Sequence, residues 1–318
     1  MSLPTRLTEL LGIEHPILLA PMGSASGGAL AAAVTAAGGF GFIGSGYANS
    51  ATIRDEMAAA GNARVGVGLV TWSLGERPEA LDAALEHAPP AVMLSFGDPG
   101  PFADRVKRAG SLLFCQVQSL EMARQAADAG ADVIIAQGRD AGGHSGGLRG
   151  TFGLVPAVVD AVAPIPVVAA GAVADGRGLA AALMLGAEGV LMGTRFAASR
   201  ESLWSDALKQ GAVAAAGDDT LQTRVFDIVR GVAWPTHFPG RAVRNAFAER
   251  WHGREDELHD RRAEAEAGYD AAAADDLTTR VLWAGEGVDL VADLPSARDI
   301  VERTVAEAER ALTRRRPG

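Results

Sequence analysis

Short, uninterrupted apolar runs alternate with alanine-rich segments from the start of the chain to residue 192, and that rhythm constrains the fold most. The runs are residues 17–20, 40–43, 65–69, 91–95, 112–117, 133–136, 166–170 and 189–192. Helix-like stretches lie between them at 28–37, 52–60, 78–87, 102–109, 120–129, 155–162 and 178–185. A strand buried on both faces reads as a continuous apolar run, as parallel strands under helices do. Strict strand–helix alternation predicts a parallel sheet. Eight such units favour closure into a (β/α)8 TIM barrel over an open doubly wound sheet. Glycine clusters at most of the strand ends, rather than at one switch point, point the same way.

The rhythm stops after Ser199. Residues 217–280 are charged, alanine-rich and irregular, with helical patterns at 241–252 and 255–268. Their aromatic residues Trp234, Phe238, Phe247 and Trp251 are suited to packing on a barrel. We therefore divide the chain into a barrel at 1–216, a helical cap over the strand C-termini at 217–280, and a return segment at 281–318. The return segment ends in an amphipathic helix over 296–312, with Ser296 as its N-cap.

The 318 residues suffice for one large barrel with an elaboration. A content of 48% hydrophobic and 21% charged residues excludes a disordered chain. Net charge is −10 with a pI near 5.1, and no basic stripe is present, so nucleic acid is not an expected partner. The run Arg314-Arg315-Arg316 reads as a solvated tail. The N-terminus lacks a signal-peptide core, and the most membrane-like stretch is broken by glycines, so a soluble cytoplasmic protein is expected. A single cysteine, Cys115, excludes an internal disulfide; lying in an apolar run, it reads as a core thiol.

One loop concentrates the chemistry. Strand 133–136 runs into Gln137-Gly138-Arg139-Asp140-Ala141-Gly142-Gly143-His144-Ser145-Gly146-Gly147. This places a histidine among glycines at a strand C-terminus, where α/β folds bind ligands. The ends of the last two strands carry Gly171-Ala172 and Gly193-Thr194-Arg195. In such barrels these loops commonly hold a phosphate on backbone N–H groups. No Walker lysine motif is present, and a Rossmann fingerprint is lacking after the first strand.

Taken together, Ala-Pro-Met-Gly at 20–23, Ala-Gln-Gly-x-x-Ala-Gly-Gly-His at 136–144, Ala-Ala-Gly-Ala-Val-Ala-Asp-Gly at 169–176 and Met-Gly-Thr-Arg-Phe at 192–196 resemble the nitronate monooxygenases, formerly 2-nitropropane dioxygenases. The resemblance spans about residue 5 to the Ala-Gly-Glu-Gly turn at 284–287. It implies an FMN-dependent oxidation of nitronates by molecular oxygen. Its superfamily also implies an alternative, an FMN-dependent NAD(P)H:quinone or enoyl-thioester reductase. A phosphate-ligand barrel without flavin remains a third option, and a homodimer is left open. Carried over, the resemblance implies that Pro21, Met22 and Gly23 line the flavin ring. Gln137 would hydrogen-bond the ribityl chain or ring edge, while Gly142 and Gly143 let the backbone approach it. Gly171, Ala172, Gly193 and Thr194 would hold the phosphate, with Gly68, Ser95 and Gln116 as further contacts. His144 would face the substrate. A histidine there can take an α-proton from a nitroalkane or, protonated, pair with the nitronate anion.

Two positions depart from the family pattern. Many members have a second glycine where this chain has Ala172, which serves equally if its φ is negative. The better-studied members carry asparagine after strand three, where this chain reads Gly68-Leu69-Val70-Thr71-Trp72. Other candidates have plainer explanations. His15 precedes the first strand at the opposite end of a barrel, and His87 ends a helix. His252 and His259 lie in the charged region; His237 has a pocket role and a packing role open to it, packing being favoured. Asp140 and Asp175 read as turn formers, and no spacing suggests a metal site.

Overall fold

The computed structural model describes residues 3–47 and 49–313; the terminal arginine run lies outside them. Eight parallel strands close a barrel in the order β1 (Ile17–Leu19), β2 (Phe40–Gly44), β3 (Gly66–Val70), β4 (Ala91–Ser95), β5 (Leu112–Val117), β6 (Val133–Gln137), β8 (Val167–Ala170) and β9 (Val190–Met192). Closure is visible at Leu18, which pairs with Phe40 on one side and Leu191 on the other. The expected TIM barrel is therefore present.

Alternate residues of each strand feed two apolar layers, which is why the runs are continuously hydrophobic. Leu18, Phe40, Phe42, Phe114, Ile135 and Val168 fill the barrel, with the Phe42 ring edge-on to Phe40 and Phe114 at 5.1 and 5.3 Å. Ile17, Leu19, Ile43, Val67 and Ile134 face the helices. Most predicted helices hold within a residue or two. The stretch predicted at 155–162 instead begins earlier, as helix Thr151–Val162, with Pro156 inside it. The hydrogen bond that the proline forfeits would go to the Phe152 carbonyl, in an exposed turn where water can replace it.

The region 217–280 departs most from expectation. The predicted helix 241–252 is in fact strand β11 (Gly240–Val243) followed by helix Ala246–Trp251, which Asn245 caps at 2.9 Å. The predicted helix 255–268 divides at Arg261 into helices Glu255–Asp260 and Arg262–Ala271. Strand β10 (Thr220–Thr223), β11 and the two-residue β7 (Gly143–His144) form an antiparallel sheet. In it Gly240 pairs with His144 and Arg241 with Gly143. Trp251 and Phe247 pack with Val225, Phe226 and Tyr269 in a core of the cap's own rather than on the barrel.

The return segment ties cap to barrel. Trp283 bridges to Ala242, and the Glu286 amide donates to the Asp140 carbonyl at 3.0 Å. The last helix, Ala297–Thr313, packs on helices Gly176–Met184 and Gly28–Ala36. The Ser296 hydroxyl accepts the Asp299 amide at 3.1 Å, as a capping residue should. Among the described residues, no helix is long and apolar enough to cross a membrane.

Candidate active site

A cavity of about 450 Å³ opens at the C-terminal ends of the barrel strands. His144, Pro21, Met22, Gly23, Gly68, Ser95, Gln116, Gln137, Gly142, Gly143, Gly171, Ala172, Gly193 and Thr194 all line it. Residues scattered over the chain thus meet in one space.

His144 is not alone in its loop, as its sequence surroundings suggest. Its Nε2 lies 3.0 Å from Asp227 Oδ2, and the two side chains are 9% and 4% exposed. Asp227 belongs to the cap helix Val225–Val229. Arg230 donates to the other carboxylate oxygen at 3.1 Å. A carboxylate held by an arginine accepts, so Nε2 is the nitrogen that donates, and in the neutral ring Nδ1 holds the lone pair. The imidazole stacks on Trp234, 3.5 Å between centroids and 7° from parallel. Pairing between β7 and β11 fixes the backbone, Asp227 fixes the ring edge, and Trp234 fixes the ring face.

On β5 and β6 a glutamine network turns polar groups toward the cavity. Gln137 Oε1 accepts from Gln116 at 3.2 Å and from Gln118 at 2.8 Å, and Gln137 Nε2 donates to the His144 carbonyl at 3.1 Å. Gln137 therefore braces the histidine loop, and has one N–H left for a ligand. The Ser95 hydroxyl, buried and without a protein partner, is a better placed free group.

At the ends of β8 and β9, the backbone N–H groups of Ala172, Gly193 and Thr194 have no acceptor among the described residues, while that of Gly171 closes the β8–β9 ladder. Orphaned amides that line one cavity are the donor set an anion needs. Ala172 has φ of +51°, so the condition of a negative φ is not met. The turn keeps its conformation at a cost in strain that glycine would not carry. The Thr194 hydroxyl accepts from the Gly285 amide at 3.2 Å, so it anchors the return segment while its own N–H stays free. Gly171 has φ of +116°, and a Cβ there would meet Asp140 Oδ1 at 2.3 Å. Gly142 differs from expectation: a Cβ there would strike the Gly285 amide at 2.5 Å, so its smallness serves the return segment rather than a ligand. Gly143, at φ of +68° with open space around it, is the glycine that turns the chain into β7.

The remaining candidates fall into place. Asp175 caps helix Gly176–Met184 through the Arg177 and Gly178 amides, and Asp140 accepts the Thr151 amide. His15 is buried before β1, while His237 is exposed and does not line the cavity. Burial and the Asp132 charge push the Cys115 thiol up to about 12, as an inert core cysteine requires. Among the described residues, no group of three acidic, histidine or cysteine side chains could hold a metal. Sequence reasoning missed Asp227, Arg230, Tyr47, Phe96 and Trp283. Only Trp234 carried a signal, as an aromatic in the irregular region.

The nitronate monooxygenase family model matches residues 4–65 and 70–307. The chain belongs to the nitronate monooxygenase family. The unmatched residues, 66–69, are all of β3 but its last residue. A probable nitronate monooxygenase of Staphylococcus saprophyticus is 32% identical over 99% of this chain and 100% of its own length. The nitronate monooxygenase of Neurospora crassa is 32% identical over 94% and 90%. A Mycobacterium tuberculosis relative named as a hydroxy-methyl-oxo-octahydroindene-carboxyl-CoA dehydrogenase is 38% identical over 71% of this chain and 65% of its own length. In structure, FabK from Thermotoga maritima superposes with a TM-score of 0.87 at 34% identity, covering 98% of both chains. The nitroalkane oxidase of Streptomyces ansochromogenes gives 0.82 at 29%, covering 97% of this chain and 99% of that one. This family member is accordingly an oxidoreductase on a TIM barrel.

Proposed function

We propose that this enzyme is an FMN-dependent nitronate monooxygenase that oxidises nitronates with molecular oxygen. The observation that carries the reading is one cavity with the His144–Asp227 pair and a cluster of unpartnered backbone amides. The residues fit the cofactor. Ala172, Gly193 and Thr194 would hold its phosphate, Pro21, Met22 and Gly23 would flank its ring, and Ser95 and Gln116 would offer polar contacts. Bound FMN supplies an electron acceptor that oxygen can reoxidise.

The chain's own residues do the rest. His144 Nδ1 takes the α-proton of a neutral nitroalkane, a contribution of about 10²–10⁴-fold for a positioned base. Asp227 holds Nε2–H, so the imidazolium that forms sits between its carboxylate and the new nitronate anion. Trp234 covers one face of the ring and keeps water from it.

The Mycobacterium tuberculosis CoA-ester dehydrogenase supports a second reading, oxidoreduction of a CoA thioester on the same barrel. Anaerobic mixing separates the two. The nitronate reading expects a preformed nitronate to bleach the flavin absorbance and NADH to leave it unchanged. Rapid bleaching by NADH alone supports the second reading. Mass analysis of heat-released cofactor tests FMN itself; stoichiometric FAD, or a colourless protein, refutes the cofactor assignment.

A further inference from the structure

We infer that the substrate is a singly charged nitronate with a bulky apolar substituent, and that Phe96 selects it; this rests on the nitronate reading above. Tyr47, Phe96, Trp234 and Trp283 line the same cavity as His144. Trp234 is their hub, with Phe96 edge-on at 5.0 Å, Tyr47 at 6.1 Å and the His144 ring beneath it. Phe238 is buried behind Phe96, 5.3 Å between ring centroids, and backs the wall without lining the cavity. The wall's polar atoms are largely spent on each other, since Trp234 Nε1 donates to the Tyr47 hydroxyl at 3.3 Å. What faces the cavity beside the base is therefore mostly carbon.

The backbone at Phe96 is the second observation. Its φ is +65°, in the left-handed region that a bulky residue rarely enters. Its carbonyl accepts the Trp72 amide at 3.2 Å, which holds the turn in place. Strain of this kind persists where the surroundings over-determine it, and it clusters at ligand-binding positions. Here it turns a phenyl ring toward the histidine's aromatic partner.

Charge is the third. Among the described residues lining the cavity, Arg230 is the one lysine or arginine, and no aspartate or glutamate joins it. Arg230 already pairs with Asp227 and donates to the Phe226 carbonyl at 2.8 Å. A nitronate anion meets His144 once that residue is protonated. A second anionic group on the substrate would find no free counter-charge and would sit against aromatic faces, an unfavourable place for a charge.

The test compares preformed nitronates of nitroethane, nitrobutane, nitrohexane, phenylnitromethane and 3-nitropropionate. Binding is measured separately, by tryptophan fluorescence with benzoate and with acetate, planar anions that cannot be oxidised. We expect kcat/KM to rise by about fourfold for each methylene that reaches the wall. The 3-nitropropionate nitronate should fall below that of nitrobutane, and benzoate should bind more tightly than acetate. Phe96→Ala should flatten the series; Phe96→Leu, which keeps apolar bulk, should flatten it less. Equal kcat/KM along the series, with benzoate no tighter than acetate, overturns the inference. Tight benzoate binding with no nitronate oxidised supports the apolar site and removes the nitronate reading alone.

Discussion

Replacing Asp227 with asparagine tests the arrangement around His144 with the smallest change in shape. Asp227 accepts two hydrogen bonds from opposite sides, from His144 at 3.0 Å and from Arg230 at 3.1 Å. An amide cannot accept on both oxygen positions. If its carbonyl faces His144, its NH2 confronts the Arg230 guanidinium, donor against donor. If its NH2 faces His144, the imidazole must move its proton to Nδ1, and the lone pair leaves the cavity for the Asp227 side. Either way a buried bond to a charged group is lost, worth about 1.5–3 kcal/mol. In the first case the imidazolium formed on proton transfer loses its counter-charge; in the second the base itself is lost; in both, turnover of a neutral nitroalkane should fall, in the second by about 10²-fold or more, within the range for general bases. A preformed nitronate needs no proton removed and should lose much less. The assay is kcat and KM for both forms of one substrate, with flavin content and thermal unfolding as controls. Unchanged turnover of the neutral form by a folded, flavin-replete Asp227→Asn enzyme would refute the assignment.

His144→Ala should retain flavin, because the proposed contacts lie on other strands, and should lose turnover of the neutral nitroalkane by about 10²-fold or more. Small and equal effects on neutral and anionic substrates would leave His144 as a structural residue. Thr194→Glu should abolish flavin retention, since a carboxylate about 4 Å from a phosphate costs about 4 kcal/mol per charge pair at an effective dielectric of 20. Full flavin occupancy in that variant would place the phosphate elsewhere. Ala172→Gly should raise stability by about 0.5–1 kcal/mol, because it relieves a left-handed alanine, and chemical denaturation reads the change. Cys115 should resist alkylation at pH 8 in the native protein and react after unfolding. Because unfolding returns the thiol from about 12 to 9.0, its contribution to stability should persist below pH 9 and fall as pH rises toward 12.

The barrel was legible because each of its strands satisfies one local condition. A run such as Val133–Gln137 must be apolar on both faces, so periodicity and glycine punctuation suffice to find it. The glycine-bearing strand ends were legible for the same reason, and they brought every predicted site residue to one cavity. The cap was not. Strand β11 is four residues long, Gly-Arg-Ala-Val, and its pairing partner β7 is the glycine-histidine pair of a distant loop. Neither carries the alternation that identifies a strand alone. The run 241–252 reads as helical because Ala246–Trp251 is a helix, and nothing local marks the strand before it.

The same non-locality explains why His144 looked solitary. The one acid of its loop, Asp140, is taken up by Thr151, and 83 residues separate His144 from Asp227. The connection runs through the β7–β11 pairing, which seats the cap sheet on the histidine's own backbone. Val225, Phe226 and Val229 bury one face of the helix that carries Asp227, and that packing turns the carboxylate toward the barrel. The proposed base therefore belongs to the barrel and the acid that orients it to the cap. Only a docked cap completes the pair, and with it the enclosed aromatic face on which the histidine rests. Loosening the cap by a change remote from the cavity, such as Trp251→Ala, should thus lower turnover of neutral nitroalkanes more than it lowers flavin content.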